Sequence, residues 1–293
     1  RGPNNRYIDE FYTSDSGLDE KNFIKNKNHY SMERVSTYSF GSFNKNWKLN
    51  NNGKIFNGKD SDSNQIYGTP GQENSVNQMY TYYSSSFIQD TTLKKDFSPY
   101  LLSGDVEVFG DINLSIEPGV VIKFYDSHSK LAVNGTLKAI GTNTDKIFFT
   151  SFADDEFGKD SNGNGDSSLP SPGDWLSLYF SKDSKNSQLE NVVVRYGGAV
   201  LGFSPFSWGN AIWVDNSLIS LKNSIVEKNK NRALVLTNSN STVDSVKFLS
   251  NKTTDWPSGD QAKAVLIQGG NPEIKNSYFE DNLLGIDCSY FYN

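Results

Sequence analysis

The chain has 293 residues, enough for one large or two modest domains, and its net charge of -6 with pI near 5.1 argues against nucleic acid as a main partner. Hydrophobic residues make up only 35% and no apolar run approaches the length of a membrane span, so no transmembrane segment is expected and a narrow core under a large polar surface is. One cysteine, Cys288, excludes an internal disulfide framework and a cysteine-based zinc site, and two histidines leave little material for a histidine-dependent triad.

Residues 1–80 are polar and broken by turn formers such as Asn51-Asn52-Gly53 and Gly68-Thr69-Pro70-Gly71, with strand candidates at Tyr30–Val35 and Asn46–Leu49. Three pieces stand out here: Ser31-Met-Glu-Arg-Val35, Asn46-Trp47 and Tyr67-Gly-Thr-Pro-Gly-Gln-Glu-Asn-Ser75. In this order they resemble the closing part of a lamin-tail domain, an immunoglobulin-like β-sandwich found on many bacterial surface proteins. That resemblance implies a partial sandwich over 1–80, because the family's opening strands have no counterpart before Arg1. The absence of an initiator methionine and leader suggests a processed end or a fragment. Residues 81–98, rich in tyrosine and serine, read as a linker or a cap.

From residue 99 the pattern changes. Val106–Val108, Ile112–Ile116, Val120–Phe124 and Leu131–Ala139 alternate with period two, Pro118-Gly119 and Asn134-Gly135 supply turns, and Ile147–Ser151 reads as a buried strand. An insertion follows at 152–173. Within it Asp160, Asn162 and Asn164, followed by Gly165, place oxygen ligands at alternate positions before a sharp turn, which is how the first half of a calcium loop is written. Asp154, Asp155 and Asp166 add charge, and carboxylates this crowded repel one another unless a cation sits among them. Ca2+ is therefore the expected cofactor. The twelfth-position glutamate of an EF-hand is missing, since that place is Ser171.

The second half of the chain repeats itself. Leu189–Val194, Leu221–Val226, Val243–Phe248 and Ile274–Phe279 are one motif at intervals of 32, 22 and 31, and Ala233–Leu236 recurs as Ala264–Ile267. A basic period of 22 with insertions ending near Asn210 and around Thr253–Gln261 follows. Units this small stack as a solenoid, and short apolar runs rich in Val, Ile and Phe make it a β-solenoid. The recurring Asn191, Asn223, Ser245 and Asn276 stand where stacked side-chain amides could form a ladder, or where asparagine simply suits a turn. Together with Ile116–Phe124, Val133–Leu137, Gly141-Thr142, Ile147–Ser151, Gly173-Asp-Trp175 and Val194-Arg-Tyr-Gly-Gly198, the run 99–293 resembles secreted right-handed parallel β-helix proteins. The resemblance implies an all-β, right-handed parallel β-helix of ~22-residue coils and an extracellular or cell-surface location.

On function the sequence leaves two classes open. The first is a structural or adhesive surface protein that self-associates or binds other surface proteins. Cys288 is expected inside a coil, and the repeat stops mid-coil at Asn293 without a cap. An open end of that kind fits either a fragment or a subunit of a head-to-tail fibre. The second is a polysaccharide lyase, a glycosidase or a glycan-binding module. Asp215, Glu227, Asp244, Glu280, Asp287, Arg195, Lys222, Lys228 and Arg232 are available to it, but at coil positions expected to face water. Phe203, Phe206, Trp208 and Trp256, in the insertions, form the expected ligand or partner surface.

Overall fold

A computed structural model describes residues 61–63, 80–201, 209–252 and 262–288, together with five short strands between 29 and 67. The chain divides into two compact units, 1–82 and 83–293. In the first, Met32–Arg34 pairs antiparallel with Trp47–Leu49, while Gln65–Tyr67 lies between His29–Tyr30, parallel to it, and Phe56–Lys59, antiparallel to it.

The second unit is a parallel β-helix. Its coils visit three sheets in turn, and every pairing within those sheets is parallel. The first sheet holds Thr91–Leu93, Asn113–Ile116, Thr136–Ile140, Ser187–Glu190, Ile219–Lys222, Thr242–Asp244 and Glu273–Lys275. The second begins at Thr81–Tyr83, the strand in which the division between units falls. It continues through Tyr100–Leu102, Val121–Phe124, Ile147–Ser151, Val192–Arg195, Ile225–Glu227, Lys247–Leu249 and Tyr278–Glu280. The third holds Asp105–Val108, Lys130–Val133, Ser177–Phe180, Asn210–Asp215, Arg232–Thr237, Lys263–Gln268 and Leu284–Cys288. No α-helix occurs among the described residues. Coiling starts before residue 99, since Thr91–Leu93 is already a strand of the first sheet; it carries a single apolar residue, Leu93, too little for the alternation to show.

The repeat read from the sequence is the pairing register itself. Leu189 pairs with Leu221, Leu221 with Val243 and Val243 with Ile274, while Val194, Val226, Phe248 and Phe279 form the matching column in the second sheet. Because strand side chains alternate, one residue in two points inward, and these stacked columns make the core: Leu189, Leu221, Val243, Val194, Val226 and Phe248 are fully buried. The strands that follow the insertions stay in register with those before them.

Two kinds of asparagine turn the chain at those corners, and only one is a ladder. Asn191, Asn223, Ser245 and Asn276 all have positive φ (51, 49, 58 and 51°), the left-handed conformation that asparagine tolerates better than most residues. Their side chains do not bond to one another: Asn191 reaches the Gly141 carbonyl, Asn223 the Glu190 carboxylate and Asn276 the Asp244 carboxylate. The turn preference is therefore what this column expresses. The ladder lies at the next corner, where Asn229, Asn251 and Asn282 follow one another at 22 and 31 residues. The Asn251 Oδ1 accepts both the backbone and side-chain N–H of Asn229 (3.0 and 3.1 Å), and the Asn282 Oδ1 does the same for Asn251 (3.0 and 2.9 Å). Each amide also donates back across the corner, Asn251 to the Val226 carbonyl at 2.9 Å.

Trp175 plugs the middle of the solenoid. It is fully buried, stacks on Phe124 at 4.2 Å and donates its indole N–H to the Arg195 carbonyl at 2.8 Å. A Cβ on Gly197 would come within 2.8 Å of the indole ring. Gly197→Ala is expected to destabilise the unit by about 1–3 kcal/mol through overpacking, read as a lower urea midpoint with unchanged slope.

Candidate functional site

Strands Val121–Phe124 and Val192–Arg195 are buried at every position, so their sheet is covered on the outside as well as within. Ile122, Phe124, Val192 and Val194 belong to the core. The outward positions are Val121 and Lys123, Phe148 and Thr150, Val193 and Arg195, in register from coil to coil. The cover is the acidic loop 152–173. Phe157 stacks on Phe148 at 3.8 Å, and a Cβ on Gly158 (φ 77°) would lie 3.1 Å from Lys123 and Pro99 and 3.2 Å from Val121.

Charge holds the loop down. The Arg195 guanidinium, 3% exposed, grips the Asp154 carboxylate, 1% exposed, through Nε at 2.8 Å and Nη2 at 2.6 Å. Its Nη2 also reaches Glu156 at 2.7 Å, its Nη1 reaches Glu227 at 3.4 Å, and the Phe157 ring lies 4.5 Å beneath it. The Thr150 hydroxyl donates to the same Asp154 carboxylate. Burial opposes the charge on Arg195, but the bonds from Asp154 and Glu156 outweigh it and hold the group above its ordinary range. Lys123, fully buried, donates its ammonium to the Lys159 carbonyl at 2.9 Å, with Asp154, Asp155 and Asp160 in electrostatic range. The loop closes where the N–H groups of Gly173 and Asp174 both bond the Tyr196 carbonyl and Ser151 bonds Asp174 at 2.6 Å.

The crowded carboxylates thus meet two cations built into the adjacent strands. Arg195 and Arg232, expected at water-facing coil positions, are buried. Sequence reasoning missed Lys123 altogether, and the signal was there: Val120-Val-Ile-Lys-Phe124 and Val192-Val-Val-Arg195 put a cation beside an outward valine, a pattern that fits a strand covered on both faces.

The six residues expected around calcium are divided. Asp154 is committed to Arg195. Asp160 accepts the N–H of Gly165 at 2.8 Å and of Asn164 at 3.1 Å, bonds that hold its carboxyl below the ordinary range. The Asn162 Oδ1 accepts the Asn164 N–H at 3.3 Å, and both asparagine amides donate to Ser168. Asp155 is half-buried beside Lys123, and the Asp166 side chain lies outside the described residues. Among the described residues no three Asp, Glu, His or Cys side chains converge as a metal set would. Phe203, Phe206, Trp208 and Trp256 lie outside the described residues.

The remaining titratable residues weighed for catalysis are dispersed. Glu190, Lys222, Asp244 and Lys275 form a column of alternating charge along the first sheet. Asp215 accepts from Tyr179, Asp287 faces Lys263 at 3.6 Å, and Lys228 lies over the Tyr196 ring. Cys288, expected inside a coil, is exposed: its strand is the last one described, and it pairs only on the side of Ile267.

Burial lowers the Lys123 pKa to about 8, against the pull of the nearby aspartates. Below about pH 8 the ammonium is charged in both folded and unfolded chains and its desolvation cost is fully present. Between there and the ordinary lysine range only the unfolded chain keeps the proton, so stability rises with pH. Tyr179, pushed up to about 12 by burial, and Tyr100, also raised by burial, act oppositely above about pH 10. The expected profile climbs from pH 8 and turns over near 10, and Lys123→Met removes the climbing limb; chemical denaturation across pH 7–11 checks it.

What these observations define is a parallel β-helix with an acidic loop clamped on one of its sheets. No family model matches the chain, and no solved structure does. A similarity to a curated protein, Protein bark beetle of Drosophila melanogaster, is 42% identical over 64 residues. It covers 22% of this chain and 2% of that much longer protein.

Proposed function

We propose that this chain is an extracellular structural or adhesive protein, secreted or held at a cell surface, that works by self-association through its last described coil. The observation that carries the reading is the last described coil. Core-side Ile286 is 47% exposed and Phe279 is half-buried, whereas Val265 and Phe248, their partners one coil earlier, are fully buried. Exposed Tyr278, Leu283 and Leu284 surround them. Strand backbone with apolar side chains on its core side is a template for further strands, and a second copy is the occupant proposed here. The lamin-tail-like pieces around Ser31–Val35 and Asn46-Trp47 support placement at a surface.

Negative-stain microscopy and sedimentation of the wild-type protein and of Ile286→Lys test this. Regular fibres of one axial repeat that Ile286→Lys abolishes are expected. Discrete particles for the wild type would sink the idea. Within this reading calcium belongs at the Asp160–Asn164 turn, where carboxylate and amide oxygens cluster; a rise in melting temperature with calcium that Asp160→Asn removes is the expected sign.

A further inference from the structure

The first sheet keeps its outer face open from end to end: its outward positions, from Thr92 to Lys275, are all half-buried or exposed. The other two sheets differ. The acidic loop lies over the second, and in the third the outward Val235, between core residues Leu234 and Leu236, is buried, as is its register partner Leu266. On the open face the column Glu190, Lys222, Asp244, Lys275 changes sign at every coil. Glu190 gives one carboxylate oxygen to the Asn223 amide at 3.1 Å, and Asp244 gives one to the Asn276 amide and the Ser245 hydroxyl, both at 3.0 Å. Each carboxylate keeps a second oxygen for another donor. Lys275 reaches Glu273 at 3.2 Å, and Lys222 forms no salt bridge among the described residues. Beside this column runs a polar one, Gln188, Ser220, Thr242 and Glu273, with short hydroxyl side chains at its centre.

A column that alternates in sign over an even number of coils is complementary to itself when reversed. Turning a second copy by 180° about an axis along the strands brings the two open faces together, keeps each column opposite its own counterpart and inverts the order of the coils. Glu190 of each copy then meets Lys275 of the other, and Lys222 meets Asp244. In the neighbouring column Gln188 falls opposite Glu273 and Ser220 opposite Thr242, so no like charges meet. A slip of one coil would set Lys222 against Lys222 and Glu190 against Asp244, so the charges select the register. Four coils cover far less than the roughly 800 Å² per partner of a stable complex. The contact is therefore weak between single copies and gains strength where copies repeat along an assembly. We infer that the face bearing Glu190, Lys222, Asp244 and Lys275 is a lateral contact between antiparallel copies of this chain. The inference goes beyond the assembly reading, because the face lies on a flank of the solenoid and pairs single copies as well as joined ones.

Sedimentation equilibrium of the whole chain carrying Ile286→Lys, which blocks the last coil and leaves the flank untouched, tests it. A weak monomer–dimer equilibrium is expected at low ionic strength, lost in about 1 M salt, where the Debye length falls to about 3 Å. Adding Lys222→Glu or Asp244→Lys should weaken dimerisation by about tenfold or more, because each sets like charges together twice across the two-fold axis. An equimolar mixture of the two variants should dimerise as the parent does, since each supplies the charge the other has lost. Within one chain either change puts three like charges in a row, so a purely intrachain role does not produce this rescue. No dimer at low salt up to about 1 mM chain, a dimer indifferent to both reversals, or a mixture that fails to recover would overturn the proposal. Wild-type fibres without this equilibrium would sink the lateral contact and leave the assembly reading standing. The equilibrium without wild-type fibres would do the reverse.

Discussion

Replacing Arg195 with alanine is expected to lower the unfolding free energy of the β-helix unit by about 3–5 kcal/mol and to release the 152–173 loop. The substitution leaves the Asp154 carboxylate, 1% exposed, with the Thr150 hydroxyl as its remaining side-chain donor, and an uncompensated buried charge costs far more than a lost surface pair. Phe157 also loses the guanidinium that rests on it. Removing both partners is a different matter, because the desolvation of each ion disappears with it: Arg195→Met combined with Asp154→Leu should recover most of the loss. Urea unfolding of Arg195→Met, Asp154→Leu and the double variant measures the coupling directly. A loss below about 1 kcal/mol for Arg195→Ala would place the pair among weak surface contacts.

The second large effect is expected at Asn251. In Asn251→Ala the Asn229 backbone N–H loses its acceptor and the Val226 carbonyl loses a donor, both in the buried corner. At about 1–3 kcal/mol for each buried group left unsatisfied, a loss of about 2–6 kcal/mol follows. The control is Asn223, which stands in the other asparagine column. There the side chain is exposed and the requirement is φ near 49°, so Asn223→Gly should be nearly neutral while Asn251→Gly is not. Equal losses at the two positions would mean that the ladder is misassigned.

Much of this architecture was legible in the sequence because a solenoid writes its register into the chain. The columns Leu189–Leu221–Val243–Ile274 and Val194–Val226–Phe248–Phe279 are at once a pattern of letters and a set of paired strands. Spacing alone could not tell which asparagine column is the ladder. Both recur at the coil period, and the difference lies in whether the side chain points into the corner, as at Asn251, or out of it, as at Asn223. Nor could alternation say what covers the outward face. Lys123 and Arg195 occupy the same kind of position as Lys222 or Lys275; they are buried only because the loop folds back over their sheet, a contact made by residues that carry no repeat. The crowding of carboxylates in the acidic loop led to the expectation of a calcium ion; the strands beneath the loop bring two side-chain cations, Lys123 and Arg195, to the same carboxylates.

The most direct test of the account is hydrogen exchange over residues 152–161, in the wild-type protein with and without EDTA and in Arg195→Met. If the strand cations hold the loop, protection of this segment persists in EDTA and collapses in the variant, while the core strands Ile225–Glu227 and Arg232–Thr237 keep theirs. Protection that collapses in EDTA yet survives Arg195→Met would contradict the account and hand the role to a bound metal.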